Sequence, residues 1–83
     1  MIEERKFIEL TEPELFIFRT NIKEMLEFVR LKRDLEEIRG IHGCTIDLED
    51  CDKVLRVECE NVSIEEIVEK VSGHGFLCQE LED

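Results

Sequence analysis

CTIDLEDCDKVLRVEC, residues Cys44 to Cys59, is the stretch that decides the fold. Cys44, Ile46 and Leu48 alternate with Thr45, Asp47 and Glu49, and Leu55, Val57 and Cys59 alternate with Arg56 and Glu58. A period of two turns every second side chain to the same face, so both runs read as half-buried strands. The polar segment Asp50-Cys51-Asp52-Lys53 between them makes a hairpin. With a four-residue loop, position 49 faces 54 and Cys44 faces Cys59 across the pair, where thiols behave as small apolar side chains.

Outward from the hairpin, both flanks carry a helix and then a strand. Upstream, Phe28, Leu31, Leu35 and Ile38 recur at steps of three and four, which predicts an amphipathic helix from Lys23 to Arg39 ended by Gly40. The β-branched and aromatic run Leu15 to Thr20, set off by Pro13, is the strand before it. Downstream, Ser63-x-x-Glu66 is a capping box opening a helix with Ile64, Ile67, Val68 and Val71 on its core side. Gly73 and Gly75 close that helix before a strand from Phe76 to Leu81, where Cys78 reads as core.

The order β-α-β-β-α-β, with right-handed crossovers, predicts an α+β ferredoxin-like sandwich: an antiparallel sheet of order 4-1-3-2 with two helices on one face. The domain is expected over residues 14–83, preceded by an extension at 1–13. The first strand is apolar on both sides, Phe16 and Phe18 facing one way and Leu15 and Ile17 the other. Phe7, Ile8 and Leu10 of the extension are candidates to cover the spare side, and a second copy of the chain is the alternative.

Eighty-three residues suffice for one small core. The net charge of −11 repels phosphate backbones and anionic headgroups, so neither nucleic acid nor membrane is an expected partner. Met1 to Lys6 is not followed by an apolar run and no segment approaches ~20 apolar residues, so neither an export signal nor a membrane anchor is expected. A cytoplasmic location follows, where thiols stay reduced. Arg30, Lys32 and Arg33 form a basic patch, with Glu36 and Glu37 placed four residues after Lys32 and Arg33 to pair with them. Neither histidine has a nucleophile partner and no glycine-rich phosphate loop follows a strand, so no enzyme is expected.

From Phe18 onward the chain resembles the heavy-metal-associated domain, the family of small copper chaperones and of the N-terminal modules of soft-metal pumps. The residues that carry the resemblance are the stripe Phe28, Leu31, Leu35 and Ile38, the elbow Gly40-Ile41, the strand Ile46-Asp47-Leu48, and Gly75-Phe76 before the last strand. Phe18 to Lys23 is similar to the approach to the family's metal loop. Counted back from Gly40 at the family's spacing, the two metal thiolates fall at 24 and 27, where this chain has Glu24 and Glu27. Carboxylates are hard ligands and Cu(I) prefers thiolates, so the resemblance implies a degenerate loop without tight Cu(I) binding. Locally, Asn21-x-x-Glu24 reads as a helix N-cap with its third-position partner, and Glu27 gains from the helix dipole.

Topology gathers Glu24, Glu27, Asp50, Cys51, Asp52 and His74 at one acidic end, with His42 at the other. Two functional readings follow. The first is a non-enzymatic interaction module, a monomer or weak homodimer without a cofactor, that meets a protein partner through Met25 and Leu26. The alternative is a metal-ion carrier holding a divalent cation, Zn or Mn, at the acidic end.

Overall fold

The structure, a computed structural model, describes residues 13–81. Its elements run β1 (Glu14–Thr20), α1 (Met25–Glu36), β2 (Ile41–Asp47), β3 (Val54–Cys59), α2 (Ile64–Gly73) and β4 (Cys78–Glu80). The sheet has the order β2-β3-β1-β4, and every neighbouring pair is antiparallel. This is the expected ferredoxin-like sandwich. Both helices bury one stripe against the same face of the sheet: Phe28, Leu31 and Leu35 from α1, Ile67 and Val71 from α2. They meet Phe18, Cys44, Leu55, Val57 and Cys59 from the strands, with Ile22 and Val62 closing the ends of the core. Each fully buried Leu, Ile or Phe contributes about 1.5–3 kcal/mol of transfer free energy.

Helix α2 opens as its sequence predicts, with Ser63 Oγ accepting from Glu66 N and Glu66 Oε1 accepting from Ser63 N. Helix α1 starts and ends differently. Its N-cap is Glu24, whose N–H donates to Glu27 Oε1 at 3.2 Å, and Lys23 N donates to the same oxygen at 3.1 Å. Asn21, the expected cap, is employed elsewhere. The helix closes at Glu36 rather than Arg39, and the chain turns until Gly40 takes a φ of 101°. A Cβ at Gly40 would collide with the carbonyl of Glu60, so glycine is required there on two counts.

The hairpin register is two residues off the expected one. Asp47 pairs with Val54, and Cys44 therefore faces Val57, not Cys59. The loop is longer because two Asx turns occupy it: Asp47 Oδ1 accepts from Glu49 N, and Asp50 Oδ1 accepts from Asp52 N. Lys53 adopts a φ of 46° and donates from Nζ to Leu48 O at 2.8 Å, holding the loop closed. A slip of two keeps each side chain on its face, so Cys44 and Cys59 are buried as expected though not opposite one another. A bulge at His42 then brings Ile41 against Cys59. Strand β4 is shorter than the run from Phe76 to Leu81, and Cys78 is half-buried.

Among the described residues, no helix is long and apolar enough to cross a membrane. Phe7, Ile8 and Leu10, named as a cover for β1, lie outside the described residues.

Candidate functional site

Three loops meet at the end of the sheet where β1 finishes. Thr20 N donates to Asp52 O at 3.0 Å, which joins the end of β1 to the β2–β3 loop, and Arg19 Nε lies 3.5 Å from Asp52 Oδ1. Leu77 N donates to Asn21 Oδ1 at 2.8 Å, which joins the α2–β4 loop to the β1–α1 loop. This second contact is why Asn21 cannot cap α1.

At this end the ligand atoms of Asp50, Cys51 and Asp52 lie within 4.8 Å of one another. Asp52 is also engaged by Arg19, and Asp50 by the backbone of Asp52. Among the described residues, neither Glu24, Glu27 nor His74 joins them in a group of three metal-ligating side chains. Glu27 is committed to its two backbone donors. His74 sits at the C-cap of α2 and turns to α1, where its Nε2 lies 2.7 Å from Asp34 Oδ2. The six residues expected at one acidic end thus separate into a helix cap, a hairpin cluster and an interhelical pair.

Chemically this end offers one accessible thiol. Cys51 is exposed, Cys44 and Cys59 are buried, and Cys78 is half-buried. Burial pushes the Cys44 thiol up to about 11 from its ordinary 9.0, helped by the charge of Glu36, and burial alone raises Cys78 to about 11. Burial raises Cys59 as well, with Glu14 adding to the effect. Such thiols are held neutral and are poor nucleophiles and poor metal ligands. Positions 24 and 27, two capping carboxylates, do not fit Cu(I), which takes soft thiolates.

The same end is also apolar. Met25 and Leu26, in the first turn of α1, are 52% and 60% exposed, and Leu77 is 45% exposed beside Asn21. Val29, one turn beyond Met25, is 51% exposed. The i, i+4 spacing of Met25 and Val29 was legible in the sequence, but Val29 was not among the expected contact residues. The expected ion pair between Lys32 and Glu36 is present at 3.8 Å.

No protein-family profile matches the sequence, and no curated protein resembles it. Solved structures do. A yeast copper transporter domain, studied in its apo and Cu(I)-loaded states, is 22% identical, with a TM-score of 0.74 over 87% of this chain and 99% of that one. The Cu(I)-loaded first domain of the human copper chaperone for SOD1 is 14% identical, with a TM-score of 0.70 over 83% of this chain and 93% of that one. The Cu(I)-loaded N-terminal domain of a potential copper-translocating P-type ATPase from Bacillus subtilis is 17% identical, with a TM-score of 0.73 over 87% and 95%. At these identities the likeness establishes the fold, which is that of the heavy-metal-associated domain. It also corrects the expectation of no cofactor, or of Zn or Mn as its alternative: the ion loaded into these matching structures is Cu(I).

Proposed function

We propose that the domain is a non-enzymatic module that docks on another protein through its loop end, and that its own copper affinity is weak. That affinity would rest on the exposed thiol of Cys51 instead of a thiolate pair in the β1–α1 loop. The observation that carries this reading is the exposure of Met25 and Leu26, at 52% and 60%, in the first turn of α1. Burying the exposed half of an apolar side chain of this size stabilises a contact by about 1 kcal/mol, and an adjacent pair is an anchor for a partner. The fold supports the docking role, because the matching structures include domains named as a copper transporter domain and a copper chaperone. The cysteine spacing, which lacks the tight pattern of a disulfide framework, supports a reducing compartment, the cytoplasm.

Two measurements test the reading separately. A photo-crosslinker at position 26 of the full chain, compared in cells with one at exposed Glu69, should capture a partner preferentially from position 26. Equal capture from the two positions sinks the docking claim. Competition against a strong Cu(I) chelator should strip copper from the wild-type chain, and retention of one equivalent would overturn the claim of weak affinity.

A further inference from the structure

The sheet carries a second apolar row, on the face away from the helices. Strand β1 is central, between β3 and β4. Phe18 and Phe16 pair with Leu55 and Val57 on the helix side, so Leu15 and Ile17, paired with Glu58 and Arg56, face outward. Leu81, whose N–H donates to Ile17 O, continues the row on one side, and Val54, paired with Asp47, continues it on the other. None of Leu15, Ile17, Val54 and Leu81 belongs to the core cluster between sheet and helices. Yet Val54 is 6% exposed and Ile17 and Leu81 are partly buried, while Leu15 remains 52% exposed.

The row runs into a depression. Gly43 faces outward from β2 opposite Glu58, and a Cβ built there meets nothing within 4 Å. Leu15, Thr45, Arg56 and Glu58 stand around it, and the concavity, about 440 Å³ in all, continues past the β2 edge to Lys32 and Glu36 of α1. This face combines an apolar stripe, a hole beside it, and the charges of Arg56, Glu58 and Arg19, the last 3.5 Å from Asp52.

We propose that residues 1–12 of the same chain pack across this outer face, burying Phe7, Ile8 and Leu10 against Leu15, Ile17 and the Gly43 depression. Three arguments select this occupant. The segment enters β1 directly through Pro13, at the end of the strand where Leu15 lies. Going back from Glu14 to Phe7 gives a reach of roughly 23 Å at ~3.3 Å per residue, the length of β1 itself. In the segment Glu3, Glu4, Glu9 and Glu12 outnumber Arg5 and Lys6, and this acidic excess complements Arg56 on the outer face. A second copy offers the same apolar chemistry, but a short tether holds its own segment at an effective concentration of order mM, which outcompetes a free copy at micromolar concentration. The inference does not depend on whether copper is bound.

The test is amide shift mapping on the full chain, comparing wild type with the double variant F7S/L10S at two protein concentrations, alongside sedimentation. Shift changes clustered at Leu15, Ile17, Thr45, Arg56 and Leu81, the same at both concentrations in a monomer, are the expected result. The reciprocal variant I17T should move the amides of residues 7–10. Changes confined to residues 1–13 would overturn the proposal, because the segment would then not touch the sheet. Outer-face changes that vanish on dilution of a sedimenting dimer would also overturn it, in favour of a second copy.

Discussion

The hydroxyl of Thr20 donates to the backbone carbonyl of Lys53 at 2.6 Å, across 33 residues of sequence, and accepts from Ile22 N at 3.3 Å. Thr20 is 4% exposed, the one polar residue buried among the described residues. It joins three things at once: the last residue of β1, the left-handed end of the hairpin loop, and the start of the segment that leads into α1. Every residue of the loop end is placed relative to this clamp.

Replacing Thr20 by Val keeps the shape and removes the hydroxyl, leaving Lys53 O and Ile22 N without their partner. The expected loss is about 1–3 kcal/mol in chemical denaturation, the cost of unsatisfied buried backbone groups. The loss should come with amide shift changes at residues 50–53 and 21–24 and little change in α2. A neutral T20V variant would show that the clamp is replaceable.

Grafting thiols at the start of α1, as E24C/E27C, is expected to convert the domain into a Cu(I) binder that competes with a strong chelator at one equivalent. The graft sacrifices the Glu27 cap, for a stability loss of about 0.5–2 kcal/mol. A folded double variant that stays copper-free would show that positions 24 and 27 do not point where a clasp requires. The C51S variant should abolish the residual weak binding of the wild-type chain.

Thiol labelling of the native protein near neutral pH should modify Cys51 first, with Cys44, Cys59 and Cys78 slow. The pH dependence has a definite sign. Burial raises Cys44 and Cys78 from 9.0 to about 11, so the folded state holds those protons more tightly than the unfolded chain. The stabilising effect is complete below pH 9 and is lost as pH rises from 9 through 11. Thermal melts should therefore fall over that window, and a C44A/C78A variant should fall less. An unchanged alkaline slope in that variant would count against the buried neutral thiols.

The glycines of the two turns separate strain from collision. Gly75 has a φ of 92° with open space around its Cβ position, so Gly75→Ala should cost about 1 kcal/mol from backbone conformation alone. Gly40 adds the collision with the Glu60 carbonyl to a φ of 101°, and Gly40→Ala should cost well over ~2 kcal/mol or prevent folding. Equal costs would mean that the chain relaxes around Gly40.

The interhelical pair His74–Asp34, with Nε2 and Oδ2 2.7 Å apart and partly exposed, should contribute about 1 kcal/mol. H74A is expected to loosen the end of α2, seen as faster amide exchange at residues 71–74, without altering the hairpin. A response in the β2–β3 loop instead would place His74 back with the acidic end.

Element order, strand order and the inward faces were legible in the sequence because they depend on periodicity. Phe28, Leu31 and Leu35 at helical steps, and Leu55, Val57 and Cys59 at alternate positions, have a single arrangement that buries them all. The resemblance carried by Gly40-Ile41 and Gly75-Phe76 likewise led to the right fold, since Gly75 holds the positive φ just past the end of α2 and Gly40 the one that turns the chain into β2. The tertiary structure decided what periodicity does not encode. The hairpin register depends on whether Asp47 and Asp50 spend their side chains on Asx turns, and the two-residue slip preserves every face, so the alternation pattern is blind to it. Which residue caps α1 depends on the Leu77 amide, 56 residues away from Asn21, and where His74 belongs depends on Asp34, 40 residues before it. Each is a competition for one polar side chain between a near neighbour and a distant group, and only the folded chain brings the distant group within reach.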